Sequence, residues 1–405
     1  MTPRPYQLVG RDFLAARTRA LLADQMRVGK TPQAIMAVDT ICTAHARVLV
    51  LCPAIACYQW QAQWAEWSDR APAVILGKEP PPANFTGVLI VSYNRAVQHR
   101  EALTQRRWHV LIADEAHFAK SPDAQRAKLV YGKGGIGWNA DRIWALTGTP
   151  APNHAGELWT MLRAYGAVKC TYDEFVRHFA YYSEKTGRVY GNKKQHLAEL
   201  RALLAPFTLR RTLREVAPDM PAIGFNMLNI EPQGVDYRTD VIEDIDAEDR
   251  ITVALAMTGP LAVEISECLL AGEYQQTVVF GYHVEPLKRL TEILNANTID
   301  AAIITGETTL PQRQQRQEAF KMGVAQVLVC QMIAAGTAID LSAAQHCYML
   351  ELDWNPANNS QAAHRLVNMQ TQDPVTCDVL TMPGTVCDAV QRTVLRKVRD
   401  AVFKS

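Results

Sequence analysis

Short apolar runs of strand length recur along this chain and alternate with stretches in which apolar residues return every three or four positions. In the first half the runs cover 48–52, 88–92, 110–113 and 143–147; in the second they cover 277–280, 301–304, 326–330, 346–350 and 376–380. Continuous apolar runs, as opposed to strict alternation, fit strands covered on both faces. Strands that alternate with helical patterns predict parallel βαβ units, so the fold class is α/β. Leu197, Leu200, Leu203 and Leu204 recur at helical spacing, which predicts a helical insertion between two sheet-forming lobes. The expected divisions are 1–164 for the first lobe, 165–225 for the insertion, 226–255 for a charged linker and 256–405 for the second lobe.

Before the first of those runs stands Asp24-Gln25-Met26-Arg27-Val28-Gly29-Lys30-Thr31. The Gly-Lys-Thr triplet opens a stretch that can run as a helix, whose N-terminal amides would face an anion. In such a loop Lys30 reaches the β- and γ-phosphates, Thr31 offers its hydroxyl to magnesium, and the backbone of Arg27, Val28 and Gly29 lines the phosphates. Asp24 stands where the loop pattern has its first glycine, and Arg27 where a small residue eases close backbone approach.

The run ending at Ala113 delivers Asp114 and Glu115 to the carboxyl edge of a sheet, where α/β proteins bind ligands. There Asp114 would hold magnesium and Glu115 would orient or deprotonate an attacking water. Trp60, Trp64 and Trp67 fall at i, i+4 and i+7, the spacing of one helix face turned to a core.

These segments, in this order, resemble the Swi/Snf-like ATPases of helicase superfamily two, and the likeness runs nearly end to end. Arg4, Tyr6 and Gln7 resemble the adenine-reading segment; Pro53 with Trp60, and Ser92 with Tyr93, resemble motifs Ia and Ib; Asp114 to His117 form a DEAH box, and Thr147 to Pro150 match motif III. In the second half Thr305 and Gly306, Gly336 and Asp340, and Gln361 with Arg365 resemble the later motifs. Gly191-Asn192 and the Leu209-Arg210-Arg211 step are most similar to the distant subgroup that contains annealing helicases.

The resemblance implies two tandem RecA-like lobes, ATP and magnesium as cofactors, and a motor that translocates on, or remodels, double-stranded or branched DNA. Catalysis would rest on Lys30, Asp114, Glu115, Gln361 and Arg365. Nucleotide would contact Arg4, Tyr6, Gln7, the phosphate loop, Gly336 and Asp340, and lobe closure on ATP would assemble the site. DNA would contact Pro53, Trp60, Ser92, Tyr93, Lys193, Lys194, Arg210, Arg211, Thr305 and Gly306. Asn368 stands where the family has a second arginine aimed at the γ-phosphate, a group worth roughly 10³ to 10⁵ in rate in related enzymes. A strand-separating helicase, a restriction-type motor subunit and an ATP-gated DNA clamp with little hydrolysis are the alternatives.

Charge sharpens this expectation. The net charge is only +1, yet residues up to Phe225 carry 29 Lys and Arg against 18 Asp and Glu, and the remainder 13 against 23. The basic half suits sequence-independent affinity for a polyphosphate backbone, while the acidic cluster from Asp236 to Asp249 fits a flexible linker. The nine cysteines form no CxxC pair and the histidines other than His117 show no ligand spacing, so no metal cluster is expected. No apolar run approaches the roughly 20 residues needed to span a bilayer, and Met1-Thr2-Pro3-Arg4 does not open a signal peptide. A soluble intracellular motor without appended modules follows, cytoplasmic in a prokaryotic or phage-infected host and nuclear in a eukaryote.

Overall fold

In the computed structural model, which describes residues 2–184, 189–218, 223–231, 245–332, 340–367, 371 and 373–399, the apolar runs of the first half become the middle of a seven-stranded sheet. Its strands are β1 (Arg19–Leu22), β2 (Arg47–Cys52), β3 (Val74–Ile75), β4 (Gly87–Ser92), β5 (Trp108–Asp114) and β6 (Ala140–Leu146), followed, after an antiparallel hairpin of β7 (Ala180–Tyr182) and β8 (Val189–Asn192), by β9 (Thr208–Leu209). The order is β3-β4-β2-β5-β6-β1-β9, with every pairing parallel. Register alternates the side chains cleanly: Leu49, Leu51, Leu89, Val91 and Leu111 enter one core, and Val48, Val50, Ile90, Val110 and Ile112 the other. Burying each such side chain contributes about 1.5–3 kcal/mol, so continuous apolar runs are what a sheet covered on both faces requires.

Past Ala217 the chain forms a second compact unit, beginning at Pro218. Its six-stranded sheet comprises β10 (Ile223–Asn229), β11 (Thr277–Gly281), β12 (Ala301–Ile304), β13 (Val327–Gln331), β14 (His346–Met349) and β15 (Val375–Thr381), in the order β10-β15-β14-β11-β13-β12. All of its pairings are parallel as well.

Three expectations need correction. The stretch after the first lobe is not purely helical, because β7 and β8 pair as a hairpin and β9 joins the first sheet at its edge. There Leu21 and Ala23 donate their amides to Phe207 and Leu209, so an otherwise unpaired row of edge groups is satisfied. The expected linker is shorter at both ends. Residues up to Asn229 belong to β10, whose exposed Phe225 and Met227 gave no strand-like pattern of burial, and a helix occupies Ala247–Ala271. Residues 232–244 of that linker lie outside the described residues.

The third correction concerns the same helix, which has 25 residues and is long and apolar enough to cross a bilayer by length and composition alone. It starts at a capping box of Asp246 and Asp249, contains Pro260 and ends at Gly272, whose φ is +71°. Val253, Met257, Leu261, Ala262 and Ile265 on one side share a core with Val279 and Tyr348 of the second sheet and with Leu350 just past β14. Its apolar content is thus used within the unit.

Candidate nucleotide site

Three loops leave the carboxyl ends of β5, β6 and β1, which are neighbours in the first sheet. Leu146 stands opposite both Leu22 and Asp114 in the ladder. The segments 23–29, 114–117 and 147–150 are therefore brought side by side at one sheet edge.

The first of these loops ends at Gly29, with φ +80°, and passes into the helix Lys30–Ile41. A side chain at Gly29 would meet the Gln7 amide nitrogen at 2.8 Å as well as adopt a left-handed backbone, so glycine is required there. Arg27 also has a positive φ, 67°, a conformation that costs a residue with a Cβ. Lys30 donates its ammonium to the Asp24 and Gln25 carbonyls at 2.9 and 3.3 Å, and Thr31 sits half-buried in the first helical turn. Val28 is buried and its amide faces Gln25 O at 3.4 Å.

Asp24 is fully buried and forms an ion pair with Arg211. Arg211 also donates to Gln33 Oε1 at 2.7 Å and to the Tyr6 carbonyl, while Gln33 Nε2 donates to Asp24 Oδ2 at 3.3 Å and to the Gly29 carbonyl at 3.0 Å. A Cβ at Gly10 would lie 1.6 Å from Gln33 Oε1, which explains the glycine facing this network. Tyr6 and the loop before Lys30 are thus fastened through one buried carboxylate. Arg4 is exposed, and its amide is capped by Gln7 Oε1 at 2.9 Å.

At the end of β5, Asp114 Oδ2 accepts from Trp60 Nε1 at 2.7 Å, Oδ1 accepts from the Glu115 amide at 3.0 Å, and the Asp114 carbonyl accepts from Tyr93 Oη at 2.8 Å. Loss of water pushes the Asp114 carboxyl up to about 6, and the Glu115 charge pushes the same way against the Trp60 hydrogen bond and the nearby Lys30 ammonium. A carboxylate held in this destabilised state gains from a cation brought to it. Together with the Thr31 hydroxyl, that chemistry fits magnesium. Glu115 has φ 45°, and its Oε2 lies 3.2 Å from His117 Nδ1 and accepts from Thr147 Oγ1 at 3.4 Å. His117 Nδ1 and Thr147 Oγ1 are 3.2 Å apart, and Thr147 Oγ1 in turn accepts the Thr149 amide at 3.1 Å. The acidic loop and the loop after β6 are therefore hydrogen-bonded to each other.

A model of the SNF2-related domain matches residues 6–239, more than half of the chain. The chain belongs to the SNF2-related family. A model of the helicase conserved C-terminal domain matches residues 262–370. Among curated relatives, SWI/SNF-related matrix-associated actin-dependent regulator of chromatin subfamily A-like protein 1 of Drosophila melanogaster is 26% identical, over 97% of this chain and 54% of its own length. The DNA annealing helicase and endonuclease ZRANB3 of Bos taurus is 25% identical, over 94% of this chain and 38% of its own. The chain thus spans about half, or less, of the length of these relatives. A solved Sulfolobus solfataricus SWI2/SNF2 ATPase core in complex with dsDNA aligns over 97% of this chain and 90% of that one, at a TM-score of 0.50 and 20% identity. That likeness shows the fold: two tandem RecA-like lobes.

Within this SNF2-related chain, several residues expected on DNA are turned inward. Trp60 and Tyr93 are 1% and 2% exposed, and both serve Asp114. Arg211 is consumed by Asp24, and Arg210 donates to the Ala23 and Gly148 carbonyls at 3.1 and 3.4 Å. The side chains of Pro53 and Thr305 are buried. In each case a neighbouring backbone or carboxylate group satisfies, or packing encloses, the atoms a phosphate would need. Ser92 caps the helix Tyr93–Gln98. Lys194 is exposed, and Lys193 is half-buried with its ammonium on the Arg177 carbonyl at 2.5 Å. Lys185 and Arg188, also in the basic segment, lie outside the described residues.

In the second unit Gly306 is exposed and donates its amide to Gln331 Oε1 at 2.9 Å. Arg313 braces the preceding turn by donating to the Thr305 and Thr308 carbonyls, each at 2.9 Å. Gln361 is half-buried on the helix Pro356–Ala363 and Arg365 follows that helix. Asp340 Oδ1 accepts the Ser342 amide at 3.2 Å. Gly336 and Asn368 lie outside the described residues.

Sequence reasoning missed Gln33; it took Glu157, with Asn153, as part of the motif III likeness but gave it no partner. Glu157 is buried and accepts from Lys120 at 2.5 Å and from Asn153 at 2.7 and 2.9 Å. Burial raises its carboxyl, but Lys120 and Asn153 outweigh that and hold it below the ordinary range. Lys120 is therefore a structural strut. For Gln33 the available signal was spacing, since it lies one helical turn past Lys30.

Proposed function

We propose that this chain is an ATP- and magnesium-dependent motor that moves on, or remodels, double-stranded or branched DNA. The observation that carries the reading is the side-by-side placement of Lys30, Asp114, Glu115 and Thr147 at one sheet edge, in a chain of the SNF2-related family. Two similar proteins point the same way by their names, one a DNA annealing helicase and one an ATPase core in complex with dsDNA.

Lys30 and the amides at the start of its helix bind the phosphates. Asp114 and Thr31 would hold Mg²⁺, which supplies charge neutralisation at the β- and γ-phosphates. Glu115 orients the attacking water and takes up its proton at a carboxylate oxygen. His117 and Thr147, bonded to that carboxylate or to each other, pass its state to the loop after β6. Gln361 and Arg365 keep the catalytic roles that the family resemblance gives them. The exposed Lys194 and the basic composition of the first half support a phosphate-backbone partner. All nine cysteines are free thiols, which supports a reducing, intracellular setting.

Displacement of a third strand from a DNA triplex, with ATP and without it, tests the motor. ATP-driven displacement that disappears in Lys30→Ala supports it; tight ATP-dependent DNA binding with no displacement and no phosphate release favours a clamp instead. A forked-duplex assay separates strand opening from translocation.

A further inference from the structure

Away from the nucleotide site, two imidazoles and a carboxylate converge where the helix Tyr172–Phe179 ends and the helix Leu197–Leu204 begins. His178 Nε2 lies 2.7 Å from Glu199 Oε2, and His196 Nδ1 lies 3.4 Å from the same oxygen. All three donor atoms fall within 4.8 Å of one another, and the two imidazole centroids are 4.1 Å apart. His196 and Glu199 share a face at i, i+3, whereas His178 arrives from the far side of the β7–β8 hairpin. The Lys193 amide holds that approach by donating to the Phe179 carbonyl at 2.9 Å.

Three metal-ligating side chains thus meet at one point, the two rings turned to the same carboxylate oxygen. A cation between them would take both imidazoles in their neutral form and the carboxylate as the third ligand. Metal–nitrogen and metal–oxygen bonds of about 2.0–2.2 Å in a tetrahedral shell put ligand atoms about 3.3–3.5 Å apart; the His196–Glu199 separation of 3.4 Å already matches this, and the His178–Glu199 pair, hydrogen-bonded at 2.7 Å, would open by less than about 1 Å to admit the ion. Two nitrogens in a set of three disfavour calcium and magnesium, which take oxygen, and suit zinc-class transition metals. The side chains of His178 and Glu199 are 44% and 53% exposed, so a metal has access and water can complete the shell.

We propose that His178, His196 and Glu199 bind one zinc-class divalent cation that ties the two helices together across the foot of the β7–β8 hairpin. Within the first unit the brace adjoins the segment that follows β6, because Asn192 at the end of β8 accepts the Ala155 amide at 2.6 Å, beside the Asn153–Glu157 pair. The bound metal is a brace that fixes where the hairpin and its flanking lysines stand. This inference does not depend on the motor reading.

The test titrates the full, chelator-stripped chain with zinc against a chromophoric chelator, and repeats it with cobalt to read the visible spectrum. The expected result is one equivalent bound, more than about tenfold more weakly in Glu199→Gln and in His178→Ala, with a metal-dependent rise in Tm in the wild type only. The cobalt spectrum should lack a thiolate charge-transfer band. Glu199→Gln removes an exposed charge without changing shape, so its folding, checked by circular dichroism, is kept. Equal uptake by wild type and both variants, or a thiolate band, would overturn the proposal and assign the metal to the cysteines or to adventitious binding.

Discussion

Trp60 donates its indole N–H to the Asp114 carboxylate at 2.7 Å, linking the helix Cys57–Trp67 to the acidic end of β5. A hydrogen bond to the ionised form lowers a carboxyl pKa, so this bond restrains a group that burial and Glu115 push up to about 6. Trp60→Phe keeps most of the packing and deletes the donor. Hydrogen bonds to charged groups are worth about 1.5–3 kcal/mol, so magnesium-ATP turnover at neutral pH should fall about tenfold, and the acid limb of the pH–rate profile should move to higher pH. A profile unchanged from wild type would refute the link.

The same carboxylate predicts opposite trends for activity and stability. At limiting magnesium, turnover should rise with pH through about 6, as Asp114 ionises and can take the cation. Stability should move the other way: the folded carboxyl keeps its proton above the unfolded value of about 4, so its favourable contribution is complete below that value and lost as pH rises through about 6. In magnesium-free buffer, Asp114→Asn should gain stability relative to wild type between these two limits, while losing turnover at every pH. Urea unfolding at stepped pH measures the difference; a parallel offset across the range would contradict it.

Arg211 and Asp24 are predicted to be a stability pair, not a DNA contact. Their side chains are 14% and 0% exposed, and breaking a buried pair by removing one partner costs about 3–5 kcal/mol. Arg211→Met should therefore lower unfolding stability by that amount, and Arg211→Met with Asp24→Leu by less. An Arg211→Met protein of normal stability with selectively weakened DNA binding would restore the original DNA-contact assignment.

His117 stands between the Glu115 carboxylate and the Thr147 hydroxyl, 3.2 Å from each. In His117→Ala the basal hydrolysis should survive, while the stimulation by DNA drops by about tenfold, within the usual range of coupling energies. Comparing turnover with and without duplex DNA reads this directly. Equal losses of basal and stimulated rates would place His117 in the chemistry itself.

The central strands were legible because each was a continuous apolar run buried on both faces, as with Val48 to Cys52 and Val110 to Ala113. The edges were not. β9 is two residues long, and β10 exposes Phe225 and Met227, so neither carries a periodic signal. The candidate nucleotide residues stood out as motifs, and the places expected for two of them are found: Lys30 opens a helix and Asp114 ends a strand. Trp60 was legible as core-facing from its spacing with Trp64, but its bond to Asp114, and what the side chains of Tyr93, Arg210 and Arg211 face, were not. Each carries a polar group that suits a nucleic acid equally well, and only the three-dimensional placement of Asp24, Asp114 and the Ala23 and Gly148 carbonyls reveals that those groups are already taken. The His178, His196 and Glu199 cluster escaped notice because its first member lies a hairpin away from the other two.

Steady-state ATP hydrolysis tests the central claim most directly, measured without nucleic acid and with single-stranded, duplex and forked DNA, for the wild type and for Lys30→Ala. Turnover stimulated by duplex or forked DNA, and reduced to background in Lys30→Ala, is the predicted result. Turnover no higher than that of Lys30→Ala on every substrate, or turnover indifferent to all forms of DNA, would contradict the assignment of this chain as a DNA-coupled ATPase motor.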